Sequence, residues 1–185
     1  AIVYCTSTAG LEWKKFKKEQ NKVVHAKTWE EVEERTRKLA SSAPATFAYM
    51  YSKRCLSQFA CEQAVEFAKL GIRINNVLPA STDTGMKQEF QDMIGSEEAL
   101  IAQTGLAGRL AKSEEMAYPM VFLNSDMASF ISGLDMVVDY TDTCLKVLKL
   151  KKNLEAVSAT NPIICALAKK MMSKEATKAL PDGKE

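Results

Sequence analysis

A chain of 185 residues with 46% apolar and 26% charged side chains is long and apolar enough for one soluble domain with a proper core. Its formal net charge of +2 is too small to argue for nucleic acid or an anionic surface, and every apolar run stops well short of the roughly 18 residues of a membrane span. Five scattered cysteines (Cys5, Cys55, Cys61, Cys144, Cys165), odd in number and without a Cys-x-x-Cys pair, read as reduced cytoplasmic thiols and not as a disulfide framework or metal site.

Residues 1 to 6 alternate and concentrate β-formers, and Ser7-Thr8-Ala9-Gly10 closes them as a turn. The chain enters this core-type strand without a preceding turn or signal peptide, so the reading is of a domain entered part-way. Residues 12 to 40 are highly charged, and from Thr28 they predict a helix. Thr28 stands at its N-cap and Glu30 and Glu31 in its first turn, with Trp29, Val32, Thr36 and Leu39 on one apolar face. His25, the only histidine, has no ligand-spaced partner and is not expected to bind metal or catalyse.

A long helix is expected from Thr46 to Leu70, stopped by Gly71, with Leu56, Phe59, Ala60, Ala64, Phe67 and Ala68 as its core face. At its start Tyr49 and Lys53 stand four apart and share a side. An ammonium beside a phenol stabilises the phenolate, which would lower the tyrosine pKa and suit it to passing a proton to or from an alcohol or carbonyl oxygen. Tyr51 competes for that role but lies only two residues from Lys53. Next come a buried strand over Ile72 to Leu78, then Pro79-Ala80-Ser81-Thr82-Asp83-Thr84-Gly85-Met86.

Tyr49-Met50-Tyr51-Ser52-Lys53, then Gly-Ile-Arg-Ile-Asn and Pro-x-x-x-x-Thr, resemble the classical short-chain dehydrogenase/reductase family. The resemblance implies that Ser7, Tyr49 and Lys53 are the catalytic residues. It implies that Tyr49, Lys53, Pro79, Ala80, Thr82 and Thr84 touch an NAD or NADP cofactor. Ala80 departs from the family's usual glycine, and the bland reading of both threonines is that they bond their own turn. The 42 positions between Ser7 and Tyr49 mark residues 12 to 45 as an insertion. That resembles the bacterial 3α-hydroxysteroid dehydrogenase/carbonyl reductase branch, where such a segment takes part in subunit contact. The resemblance further implies a homo-oligomer paired through the Tyr49 helix, and a substrate loop over residues 86 to 110. This loop has short helices at Lys87 to Ile94 and Ser96 to Gln103, and candidate walls Met86, Phe90 and Met93.

Ser113 caps a helix running to about Asn124. A last strand, Asp135 to Asp139, resembles the family's closing Val-Asp-Gly-Gly, with Tyr140 and Thr141 in place of the glycines. The tail predicts helices over 142 to 152 and 160 to 178 and a polar end; its lysines, Lys146, Lys149, Lys151, Lys152, Lys169 and Lys170, read as a solvated face. No glycine-rich pyrophosphate turn is present, so the resemblance covers the second half of a family member, over residues 1 to 141, with 142 to 185 as a helical extension.

The expectation is an α/β fold, a partial Rossmann sheet of three parallel strands flanked by helices. It would carry reversible hydride transfer between nicotinamide and a hydrophobic, hydroxysteroid-like secondary alcohol or its ketone. As a separate polypeptide such a chain would hold cofactor poorly. A non-catalytic interaction module, or a lyase or epimerase using the same tyrosine and lysine, are the alternatives.

Overall fold

Strand β1 (Ile2–Cys5) pairs in parallel with β2 (Ile74–Pro79), which pairs in parallel with β3 (Asp135–Val138), in the order β1-β2-β3. The computed structural model describes residues 1–42, 44–153 and 155–178. A 3-10 helix (Thr8–Phe16) follows β1, then α1 (Lys17–Val24), α2 (Trp29–Ser42) and α3 (Ala45–Ala68) lead to β2. After β2 come α4 (Lys87–Ile94), α5 (Glu97–Ile101), a 3-10 turn at Ala102–Thr104, α6 (Ser113–Asn124) and another at Asp126–Ala128. Beyond β3 lie α7 (Asp142–Val147) and α8 (Pro162–Lys178). The expected three-stranded parallel α/β architecture is present; the polar chain end from residue 179 lies outside the described residues.

Alternation along β1 sorts the core into two layers. Ile2 and Tyr4 pack with Ala60, Ala64, Phe67 and Ile74, whereas Val3 packs with Val77, Met120, Leu123 and Ala128. α3 therefore covers one face of the sheet and α6 the other. The polar residues of the Arg73-Ile-Asn-Asn76 run have definite work at the β2 end. The Arg73 guanidinium donates to the carbonyls of Leu123, Ser125 and Ile131, closing the C-terminus of α6. Asn75 donates to Ile131 O and accepts from Leu134 N, and Asn76 donates to Asp135. Burying an amide is costly unless it is so partnered, and Asn76 Oδ1 is the one oxygen of this pair left buried without a partner.

α3 is buried on two sides. Besides Ala60 and Ala64, it buries Met50, Tyr51 and Cys55 against Ala159 of the tail and Val23 and Val24 of α1. Leu56 is half-buried, while Phe59 sits at the rim against Tyr4 and Ala68 is exposed, so the expected single apolar face is corrected. Tyr51 donates to Glu19 O and Gln58 to Asn21 Oδ1, so α1 and the tail cover in cis the side of α3 bearing residues 50 to 58.

Neither the first 3-10 helix nor α1 was expected, because α1 buries only Gln20 and has no apolar stripe to read. α2 starts as expected, with Thr28 Oγ1 accepting from Glu31 N, but Trp29 is 69% exposed instead of packed. α6 begins as expected, although Lys112 is its cap residue and Ser113 Oγ donates to Asp83 O. Lys146 of α7 is also unlike its solvated reading. Its ammonium lies buried at 2.7 Å from the Asp142 carboxylate and 2.8 Å from Glu155, and Lys151 pairs with Asp142 too.

At the end of β3, Tyr140 (φ 44°) and Thr141 (φ 80°) keep a left-handed backbone without glycine. For a β-branched residue this costs about 1–2 kcal/mol, partly offset in a glycine variant by its freer unfolded chain. Thr141→Gly is accordingly expected to stabilise the protein by about 0.5–1 kcal/mol, read from its urea midpoint. A lower midpoint would show the threonine side chain to be supporting the turn.

Candidate active site

In a parallel sheet the loops after the strands gather at one end, where ligands enter. Ser7 follows β1, residues 79 to 84 end and follow β2, and residues 139 to 141 follow β3. α3 packs antiparallel to the strands, so its first turns, with Tyr49 and Lys53, come to the same end. The β1–β2 register carries through Cys5↔Val77, and Thr6 N donates to Val77 O, which sets Ser7 beside the end of β2.

The approach of Ser7 to α3 depends on Gly10. A Cβ there would stand 2.8 Å from the Lys53 carbonyl oxygen and 2.8 Å from Ser57 Oγ, closer than van der Waals contact permits. The 3-10 helix thus lies directly on the backbone of the lysine. Ser7 caps it, its Oγ accepting from Ala9 N at 3.2 Å, and the same hydroxyl faces Tyr49, whose pKa it draws down. Its structural and its candidate chemical roles coexist on one oxygen.

Lys53 Nζ sits 5.4 Å from the centre of the Tyr49 ring, the i, i+4 relation the spacing predicts. Among the described residues no oxygen accepts from this ammonium. The expected lowering of the Tyr49 pKa is corrected. Burial pushes the phenol above its ordinary value, Ser7 pulls the other way, and the neighbouring Cys5 adds to the rise. The cause is that desolvating a phenolate outweighs a lysine held over the ring face instead of at the oxygen. Tyr51 points into the opposite, buried side of α3 and takes no part.

Phe90 of α4 meets Tyr49 edge to face at 5.4 Å between ring centres, so the loop after β2 closes over the tyrosine. Met86 and Met93, the other candidate walls, make no described contact with Tyr49, and Met86 is 57% exposed. Pro79 ends β2 and Ala80 N donates to Val138 O. Thr82 donates to Ala80 O and Thr84 Oγ1 accepts from Met86 N, so both threonines bond their own turn. The structure does not bring them onto Tyr49. A cavity of about 130 Å³ opens instead beside Ala80, against Thr104, Arg109, Glu115 and Val138.

Cys5 belongs to this neighbourhood without having been singled out as a site residue from sequence. Cys5 stands two residues before Ser7, hence on the same strand side, and that spacing was the available signal. Burial pushes its thiol up and the Lys53 ammonium pulls it down. His25 lies away from all of this, 2.9 Å from Glu62 on α3. No group of His, Cys, Asp and Glu among the described residues could hold a metal, and no described helix is long and apolar enough to cross a membrane.

A family model described as enoyl-(acyl carrier protein) reductase matches residues 35–140, which include Tyr49 and Lys53. Cyclopentanol dehydrogenase of Comamonas sp. (strain NCIMB 9872) is 40% identical over 97 residues, 52% of this chain and 38% of that protein. 2,3-Dihydro-2,3-dihydroxybenzoate dehydrogenase of Escherichia coli (strain K12) is 37% identical over 99 residues, 50% of this chain and 40% of that protein. The chain thus spans about two fifths of the length of these curated relatives. A solved 4-hydroxyisoleucine dehydrogenase mutant, complexed with NADH and succinate, shares the fold with a TM-score of 0.51 at 24% identity. That match covers 77% of this chain and 46% of the other.

Proposed function

Since the chain belongs to the classical short-chain dehydrogenase/reductase family, we propose that it carries the proton-transfer half of an NAD- or NADP-dependent oxidoreductase. The reaction interconverts a hydrophobic secondary alcohol and its ketone. One observation carries this reading: a lysine ammonium with no acceptor among the described residues lies over the ring of a half-buried tyrosine that a serine hydroxyl faces, at the carboxyl end of parallel strands.

These residues fit a nicotinamide nucleotide. The free N–H donors of Lys53 suit ribose hydroxyls, while Pro79, Ala80, Thr82 and Thr84 supply an edge on which Thr84 still has its hydroxyl proton to donate. When bound, the nucleotide supplies or accepts the hydride. In the reducing direction Tyr49 Oη donates its proton to the carbonyl oxygen, and Ser7 Oγ hydrogen-bonds that oxygen as its charge develops. Lys53 stabilises the phenolate left behind. Oxidation runs these steps backwards.

The apolar wall that Phe90 gives the site, and the ring alcohol in the name of the cyclopentanol dehydrogenase, support a hydroxysteroid-like or alicyclic substrate. The narrower 3α-hydroxysteroid dehydrogenase/carbonyl reductase branch is supported by the segment between Ser7 and Tyr49. As part of the same proposal the protein works in the cytoplasm as a homo-oligomer, through a surface other than the covered side of α3. Residues 1–141 act as the catalytic half and 142–185 as its extension.

NADH and NADPH titrations followed by nicotinamide fluorescence test the reading. Weak but saturable binding is expected with one of them, since no glycine-rich turn holds the pyrophosphate, and Lys53→Ala should weaken it about tenfold or more, a loss of about 1.4 kcal/mol. No saturation up to about 1 mM, or equal affinity in the variant, would overturn it.

A further inference from the structure

Arg54 follows Lys53 directly and is 0% exposed. One residue along a helix turns the side chain by about 100°, so Arg54 leaves the side that Lys53 shares with Tyr49. Its guanidinium lies 4.3 Å from the centre of the Phe16 ring, at the far end of the 3-10 helix that Ser7 caps. It donates to Val157 O at 3.0 Å and to Glu155 O, and it touches the Met50 sulfur. The same tail segment reaches the 3-10 helix a second time, Asn153 donating to Glu12 Oε1 at 2.6 Å.

Burying a guanidinium is costly unless its donors are filled; here carbonyls of the tail take Nη1 and Nη2, while Nε stays buried without a partner. An apolar side chain would fill the same volume at less cost. What the arginine adds is direction, because a planar fork on two carbonyls and a ring face admits one arrangement of the three elements. The 3-10 helix is thereby pinned at three points: Ser7 at Tyr49, Gly10 on the Lys53 backbone, and Phe16 under Arg54. A nine-residue 3-10 helix is a rod of about 18 Å, so release at Phe16 is transmitted to Ser7.

We propose that Arg54 is a positioning residue, which clamps the tail segment at Asn153, Glu155 and Val157 and the 3-10 helix onto α3 and so holds Ser7 at Tyr49. This rests on the reading of Ser7 and Tyr49 given above. It makes the tail part of the site's geometry, although no tail residue touches Tyr49.

The test is a double-mutant cycle on the full chain, reading the titration of Tyr49 by NMR of ¹³Cζ-tyrosine, with Cys5, Lys53 and Ser7 as the titratable and polar neighbours of its hydroxyl. Ser7→Ala is expected to raise the Tyr49 midpoint in the natural chain by removing the hydroxyl that holds it down. Arg54→Met is expected to raise it as well. In the Arg54→Met background Ser7→Ala should then add less than about half of its original shift, because the serine has already moved away. A simple structural loss would leave the Ser7→Ala shift unchanged, and that result, or no shift in the natural chain, overturns the proposal. If Arg54→Met does not fold, Phe16→Leu in the same cycle decides by the same criterion. Turnover of NADH or NADPH with a cyclic ketone separates the two ideas. A non-additive cycle in a chain without turnover sinks the oxidoreductase reading alone, and an additive cycle in an active chain sinks the clamp alone.

Discussion

Tyr49→Phe is expected to lower ketone reduction and alcohol oxidation by about 10²–10⁴-fold, the usual worth of a positioned general acid/base. The variant keeps the ring, so the Phe90 edge contact and the Lys53 ammonium over its face both survive, and only the hydroxyl is lost. The stability cost is accordingly small, about 1 kcal/mol. The upward-shifted phenol also gives the two directions different pH profiles. Reduction needs the protonated form, which prevails throughout the neutral range, so its rate should stay level until the medium approaches the Tyr49 pKa. Oxidation needs the phenolate, whose fraction grows about tenfold per pH unit below that pKa. Steady-state rates from pH 6 to 10 in both directions read this out, as an oxidation limb of unit slope that Tyr49→Phe removes. A variant keeping a tenth or more of natural turnover would place the proton transfer elsewhere.

Local relations were legible in the sequence. Tyr49 and Lys53 met because i, i+4 is a property of any helix, and α4 ends at Ile94 as read because Gly95 takes the left-handed stop at φ 114°. Strands β1 and β2 stood out because apolar residues there lie between turn formers. What failed were judgements on which neighbours arrive from far along the chain. Lys146 looked solvated until Asp142 and Glu155 closed around it, and nothing in the sequence marks Arg54 for its enclosure by Phe16 and the tail carbonyls. The Tyr49 pKa failed likewise. Lys53, four residues away, was visible, but the burial contributed by Phe90 and the strand end exists only once the chain is folded. α1 escaped because Val23 and Val24 are its only apolar side chains and the rest of its attachment is polar, through Gln20, Asn21 and Glu19, and hydrogen bonds leave no periodic pattern.

Gly105→Ala is expected to be the most destabilising small substitution in the chain, at about 3 kcal/mol or more, from two sources. Gly105 has φ 59°, where any Cβ costs about 1–2 kcal/mol. An added Cβ would also lie 2.1 Å from the Tyr140 carbonyl oxygen and 2.6 Å from Asp142 N, both backbone atoms with no rotamer to yield. Overpacking of this kind adds about 1–3 kcal/mol. Gly108→Ala separates the two, since Gly108 has a similar φ of 66° with nothing within 4 Å of a Cβ. It should show the backbone cost alone. The difference between the two urea midpoints then measures how firmly residues 102–108 are seated on the turn after β3. That turn leads into the buried Asp142, whose carboxylate anchors Lys146, and Lys146 in turn holds Glu155 beside Arg54. If Gly105→Ala costs no more than Gly108→Ala, the loop slides off the turn freely and Asp142 needs no support from it. If it costs the full amount, the strand end, the Asp142–Lys146–Glu155 chain and the clamp on α3 are held as one packed body, and a single methyl group far from Tyr49 will disturb the site through it.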